Sequence, residues 1–124
     1  MSGKGFILVV DDEESVRELV SEALEEAGYF VDVASSGWEA LEILTGASFD
    51  LVFLDIMMPG MSGQQVMDRI KIERPELPVV MLTAVVDRGA EAEFRQRGAV
   101  DYLKKPCRME TVVATADRIL QKKG

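Results

Sequence analysis

Five short apolar runs alternate strictly with five amphipathic helical patterns along this chain, and that alternation leaves few folds open. Phe6-Ile7-Leu8-Val9-Val10 is an unbroken apolar run, the pattern of a strand covered on both faces. Val16, Leu19, Val20, Ala23, Leu24 and Ala27 recur at helical spacing, which places all six on one inward face, and Gly28 stops that helix. Tyr29 to Ala34 reads as the second strand. Gly37 to Thr45 reads as a short helix with Ala40, Leu41 and Leu44 inward, ended by Gly46. Leu51-Val52-Phe53-Leu54 is a third buried strand that ends at Asp55. Pro59, Gly60 and Gly63 mark a loop, and a helix with Val66 and Ile70 on one face follows and ends before Pro75. Val79 to Leu82 is a fourth strand ending at Thr83. A weaker helix over Gly89 to Arg97 stops at Gly98. Tyr102-Leu103-Lys104 is a short fifth strand before Pro106, and the last helix carries Met109, Val112, Val113, Ala116, Ile119 and Leu120.

Strict β–α alternation implies a parallel sheet with helices on both faces. At 124 residues the chain suits one domain, 1–124 with a core over about 5–120, and no linker or repeat divides it. Gln121 to Gly124 reads as a polar tail, the start of a linker. The first apolar run is followed at once by Asp11-Asp12-Glu13-Glu14, which is not a signal peptide. No stretch approaches the roughly 20 apolar residues that span a bilayer. A cytoplasmic location without membrane insertion is expected, where a lone Cys107 stays reduced and serves packing.

Composition narrows the chemistry. The chain has no His, which removes His-based acid–base catalysis, Ser-His-Asp triads and His-ligated metals. Its single Cys removes disulfide frameworks and multi-Cys zinc sites. Any metal must therefore be held by oxygen. The net charge of −8 argues against direct nucleic-acid binding. The charge is uneven, with 13 acidic and 2 basic side chains in residues 1–60 and 6 basic and 2 acidic in residues 104–124. That asymmetry suits either a partner with complementary patches or plain solvated helix faces.

In open α/β sheets ligands bind beyond the carboxyl ends of the strands. Strand one delivers Asp11 and Asp12 to that edge, strand three Asp55, strand four Thr83, and strand five Lys105; strand two offers only Ser35 and Ser36. Taken singly, each has an ordinary explanation as a cap, a turn residue or a surface charge. Together, three carboxylates, a hydroxyl and an ammonium at one edge are not needed to fold anything. Two carboxylates about 4 Å apart repel by roughly 4 kcal/mol at an effective dielectric of 20. Three either rise in pKa or recruit a cation, and a hard divalent ion such as Mg²⁺ suits them. A metal, a Lys and a hydroxyl around a carboxylate make a phosphoryl site, with the carboxylate as nucleophile.

Four segments together resemble the receiver domains of two-component response regulators. They are Ile7-Leu8-Val9-Val10-Asp11-Asp12-Glu13, Asp50 through Gly63, Leu82-Thr83-Ala84, and Gly98-Ala99-Val100-Asp101-Tyr102-Leu103-Lys104-Lys105-Pro106. The resemblance covers about Gly5 to Leu120. It implies a flavodoxin-like, doubly wound five-stranded sheet in the order 2-1-3-4-5. It implies that Asp55 is the phosphoacceptor, that Asp11, Asp12, Asp55 and the backbone carbonyl of Met57 bind Mg²⁺ (or Mn²⁺), and that Lys105 pairs with the phosphoryl group across a commonly cis Lys-Pro bond. Thr83 is then the switch hydroxyl, which moves toward the phosphoryl group as Tyr102, the switch aromatic, turns inward. The implied partners are a sensor histidine kinase or histidine phosphotransfer domain and an unnamed downstream effector. The implied output surface is the fourth helix, fifth strand and fifth helix, which also offers a route to a dimer. The chain is then a signalling domain and not an enzyme, beyond assisting its own phosphotransfer and slow dephosphorylation.

Two rival readings share features with this one. A haloacid-dehalogenase-type phosphatase also uses an Asp at a strand end, but needs a second Asp two residues on, where this chain has Met57. A flavodoxin-like flavin module needs a neutral, hydroxyl-rich loop after strand one, where this chain has Asp11 to Glu14. Met57 and Val85 stand where many receivers carry polar groups. Neither can orient a water, so the phosphoryl group is expected to be long-lived.

Overall fold

A computed structural model describes residues 4–85 and 87–121. The tail expected at the end of the chain therefore lies outside the described residues from position 122 onward. Ten elements alternate as expected: β1 (Phe6–Val10), α1 (Glu14–Glu26), β2 (Phe30–Ala34), α2 (Gly37–Gly46), β3 (Leu51–Leu54), α3 (Gly63–Glu73), β4 (Val79–Thr83), α4 (Arg88–Gln96), β5 (Asp101–Lys104) and α5 (Met109–Leu120). All strand pairs are parallel and the order is β2-β1-β3-β4-β5. This is the doubly wound, flavodoxin-like sheet.

The apolar runs are unbroken because each strand feeds two cores. Leu8, Val10, Val52, Leu54, Val79 and Met81 point to the face covered by α2, α3 and α4. Their neighbours Ile7, Val9, Leu51, Phe53, Val80 and Leu82 point to the face covered by α1 and α5. Successive side chains alternate across a strand, so a strand buried on both sides has no polar position to spare. The edge strands are the exceptions: β2 exposes Phe30 and Asp32, and β5 exposes Lys104.

Three local details depart from the sequence pattern. Gly46 closes α2 from inside the helix. Tyr29 precedes β2, and its buried phenol instead donates to Asp117 Oδ1 at 2.5 Å, tying the β2 entry to α5. Burial and that carboxylate push the phenol up to about 12. Leu19 belongs to the apolar face of α1 but is 54% exposed. It lines an open groove with Val16, Leu82, Pro106, Cys107 and Met109, between the first turns of α1 and the start of α5. Gly28 has φ +105°, a conformation open to glycine, and so turns the chain from α1 into β2.

Candidate functional site

The winding direction reverses between β1 and β3, and the crevice beyond the ends of those two strands is where this architecture can hold a ligand. Asp11 follows β1 directly. Its N–H donates to the Ala34 carbonyl at 3.1 Å, so it extends the sheet by one residue, and its side chain is only 2% exposed. Asp55 follows β3 in the same way, its N–H donating to the Val10 carbonyl at 3.1 Å, and it is 5% exposed. Asp12 is exposed at the rim. Carboxylate oxygens of Asp11, Asp12 and Asp55 all lie within 4.8 Å of one another.

Lys105 leaves the end of β5 and reaches back over this cluster. Its Nζ lies 2.7 Å from Asp11 Oδ2 and 3.4 Å from Asp55 Oδ2. The backbone N–H of Lys105 donates to the Thr83 carbonyl at 2.8 Å, and the Lys105–Pro106 peptide is cis, as the resemblance implied. Lys104 turns away to Glu91.

Burial raises the Asp11 carboxyl above its ordinary range and the Asp55 charge adds to this, while Lys105 and the Glu13 N–H pull the other way. Burial also disfavours the Lys105 ammonium, but Asp11 and Asp55 outweigh it and hold its pKa above the usual lysine value. One ammonium cannot balance three carboxylates, so the cluster is two charges short. Its donors are all hard oxygens, and that donor set and that deficit fit a small divalent cation.

Thr83 is fully buried at the end of β4, its Oγ1 accepting from the Val85 N–H at 3.3 Å. Tyr102, read as the switch aromatic, stands on β5. Its ring is 5% exposed, packed in the α2–α3–α4 core, with its hydroxyl donating to the Val85 carbonyl at 2.8 Å. In this position the aromatic body gains apolar contacts and the hydroxyl finds a partner. Met57 lies in the loop after Asp55, its N–H donating to Asp55 Oδ1 at 3.4 Å and its side chain 67% exposed. The Val85 side chain is half-buried and Cys107 is partly buried against the α1–α5 core.

Two residues at this edge were not singled out from the sequence. Glu13 donates its N–H to Asp11 Oδ1 at 3.0 Å and places Oε1 3.4 Å from Lys105 Nζ. Its place in the acidic run 11–14 was the available signal. Arg17 donates to the Asp11 carbonyl. Its signal was rarity, since residues 1–60 hold only one other basic side chain.

Residues 7–117 match the family model described as the response regulator receiver domain. The chain belongs to the response regulator receiver domains. Its relatives include the DNA-binding transcriptional regulator NtrC of Klebsiella pneumoniae, 39% identical over 117 residues, which cover 94% of this chain and 25% of that protein. The chain thus spans about a quarter of the length of the NtrC relatives it matches. Similar solved structures include the receiver domain of the Francisella response regulator 1452, with a TM-score of 0.90 and 25% identity over 97% of this chain and 99% of that one. The Vibrio cholerae chemotaxis protein CheY4 gives a TM-score of 0.87 and 35% identity over 93% and 98%. Receiver domains are phosphorylatable switches of two-component signalling that pair with histidine kinases. The phosphatase and flavin readings are not favoured by these matches.

Proposed function

We propose that Asp55 is the phosphoacceptor of this receiver, acting within one domain, 1–124, with its core over about 5–120. The observation that carries the reading is a nearly buried Asp55 whose Oδ2 lies 3.4 Å from the Lys105 ammonium, with oxygens of Asp11 and Asp12 within 4.8 Å. In the transfer, an Asp55 oxygen forms a bond to the phosphorus of a phosphohistidine. The phosphorus–nitrogen bond breaks, and its electron pair stays on the imidazole. Lys105 already bridges Asp11 and Asp55, and it offsets the charge carried by the phosphoryl oxygens. Asp11, Asp12, Asp55 and the Met57 carbonyl are the groups that would hold Mg²⁺, or Mn²⁺ in its place; when bound, the ion supplies positive charge opposite those same oxygens. In this reading Thr83 donates its hydroxyl to a phosphoryl oxygen, while its Oγ1 accepts from the Val85 N–H. The Val85 backbone links Thr83 to Tyr102, so a shift of Thr83 is felt at β5 and α4.

The test uses a small acyl phosphate as donor. Wild-type protein with Mg²⁺ should gain the mass of one phosphoryl group, trapped by borohydride at Asp55. Chelation with EDTA should stop the gain and added Mg²⁺ restore it. Label at another residue, or incorporation indifferent to EDTA, would refute the assignment.

The lifetime of the phosphoryl group belongs to the same reading. Hydrolysis needs a water held in line with the acyl phosphate, and positioning is worth large factors. The exposed Met57 and half-buried Val85 side chains have no donor to hold it. Met57→Asn with Val85→Gln should speed phosphate loss in excess Mg²⁺, about tenfold for each well-placed hydrogen bond. An unchanged time course would show that these positions do not govern water.

The phosphodonor we propose is a sensor kinase or phosphotransfer domain on the cytoplasmic side. No helix among the described residues is long and apolar enough to cross a membrane. The output surface is α4, β5 and α5, where an effector or a second copy would read the switch. There Asp101 is held by Arg95 at 3.0 Å and by Arg118, an ionic link between all three elements.

A further inference from the structure

Residues 1–60 place two basic side chains among 13 acidic ones. Lys4 spends its charge on Asp117, 3.6 Å away. Arg17 forms no ion pair among the described residues. Its Nη1 donates instead to the backbone carbonyl of Asp11 at 2.8 Å. The side chain is half-buried in the first turn of α1, where its own N–H donates to the Glu13 carbonyl at 3.1 Å. Its charge also reaches Glu39 on α2, whose carboxyl is held low chiefly by the Ser35 N–H and hydroxyl and least by Arg17.

The carbonyl that Arg17 holds belongs to the peptide joining Asp11 to Asp12. The other groups of Asp11 are already committed: its N–H to Ala34, Oδ1 to the Glu13 N–H, and Oδ2 to Lys105. Arg17 completes the set by giving the carbonyl of this nearly buried residue its partner. Without it the Asp11–Asp12 peptide is restrained only from its flanks, by the Asp11 N–H in the sheet and the Glu13 N–H on Asp11 Oδ1, and its rotation would carry the exposed Asp12 carboxylate away from Asp11 and Asp55. We infer that Arg17 is a positioning residue, a clamp on the peptide between two acidic side chains that keeps both converging on Asp55. The inference rests on the reading of that cluster as a cation site.

The side chain acts in two opposed ways. Its charge repels a cation, and its hydrogen bond preorganises the ligands. The charge is partly solvated and screened, whereas a lost hydrogen bond to a buried carbonyl is felt in full, so the clamp prevails. Mn²⁺ binding, followed by the loss of the free-ion electron paramagnetic resonance signal, separates these effects. Arg17→Ala should weaken Mn²⁺ about tenfold, the loss of one charge-assisted hydrogen bond. Arg17→Lys keeps the charge without the planar fork, so a weakening of about threefold or more there is geometric alone. Methylguanidinium should restore part of the affinity of the Ala variant, which a general loss of stability would not allow. Asp12→Ala is the reference and should weaken binding more than either. Mn²⁺ affinity equal to or tighter than wild type in both Arg17 variants would overturn the clamp while leaving the cluster as the cation site. Unaltered binding in Asp12→Ala would instead overturn the site itself, and the clamp with it. Should Arg17→Ala fail to unfold cooperatively in urea, the Lys variant decides alone.

Discussion

Asp55→Asn should take up no phosphoryl group from an acyl phosphate and Mg²⁺ under conditions that fully modify the wild type. The substitution keeps the side-chain shape and removes the anionic oxygen that, in the proposed role, forms the new bond. No His is present to substitute as acceptor, and Asp12 sits exposed at the rim. The same variant should not lose stability. Asp55 is one of the causes that hold the Asp11 carboxyl up, so removing its charge relieves a repulsion that offsets the lost attraction to Lys105 3.4 Å away. Lys105 keeps its 2.7 Å contact with Asp11. A urea midpoint equal to or above that of wild type, together with abolished phosphorylation, is the expected pair of results. Intact-protein mass spectrometry reads the first, and comparable modification of the Asn variant would remove Asp55 from its proposed role.

Gly63→Ala should be the most damaging Gly→Ala change among the described glycines. A Cβ at Gly63 would lie 2.2 Å from the Asp55 carbonyl oxygen and 2.7 Å from Ile56 Cα. Both are backbone atoms and cannot rotate aside. The Gly63 N–H donates to the Ile56 carbonyl at 2.8 Å, and Ser62 with Gln65 forms a capping box, so the start of α3 is docked onto the Asp55 loop. An added methyl must push α3 off that loop or displace Asp55 from Lys105. Overpacking of this kind costs about 3 kcal/mol, and phosphorylation should slow well beyond what the remaining folded fraction explains. Gly46→Ala is the control. Nothing lies within 4 Å of a Cβ there, and a helical Gly→Ala change should stabilise by about 0.5–1 kcal/mol. Wild-type stability and phosphorylation in Gly63→Ala would mean that the loop yields easily.

Both predictions show where sequence and fold divide the information. Gly63 read from the sequence as one of several loop markers; the backbone it touches belongs to Asp55, eight positions earlier in the chain, and only the docking of α3 makes a side chain there intolerable. Leu19 shared the spacing of Val16, Val20 and Leu24, yet is left on an open groove, because periodicity reports which face of a helix is apolar and not how far its neighbours extend along it. Tyr102 was legible as the aromatic before Lys105, but its inward placement depends on the Val85 carbonyl from another strand's loop.

The sequence by itself determined the elements, their order and the chemical inventory. Strand and helix periods are local, so Phe6–Val10 or Met109–Leu120 can be read without knowing any partner. The absence of His and the hard-oxygen set at the strand ends confined the chemistry to carboxylates and a cation. Tertiary structure alone decided which groups meet and how strongly. Asp11 and Lys105 are 94 positions apart and Asp55 and Lys105 are 50, and no local pattern encodes such distances. The parallel order β2-β1-β3-β4-β5 brings their strand ends to one edge. There, side-chain reach settles what the sequence left open: Lys105 sits closer to Asp11 than to Asp55, and Arg17 takes a peptide oxygen in place of a carboxylate.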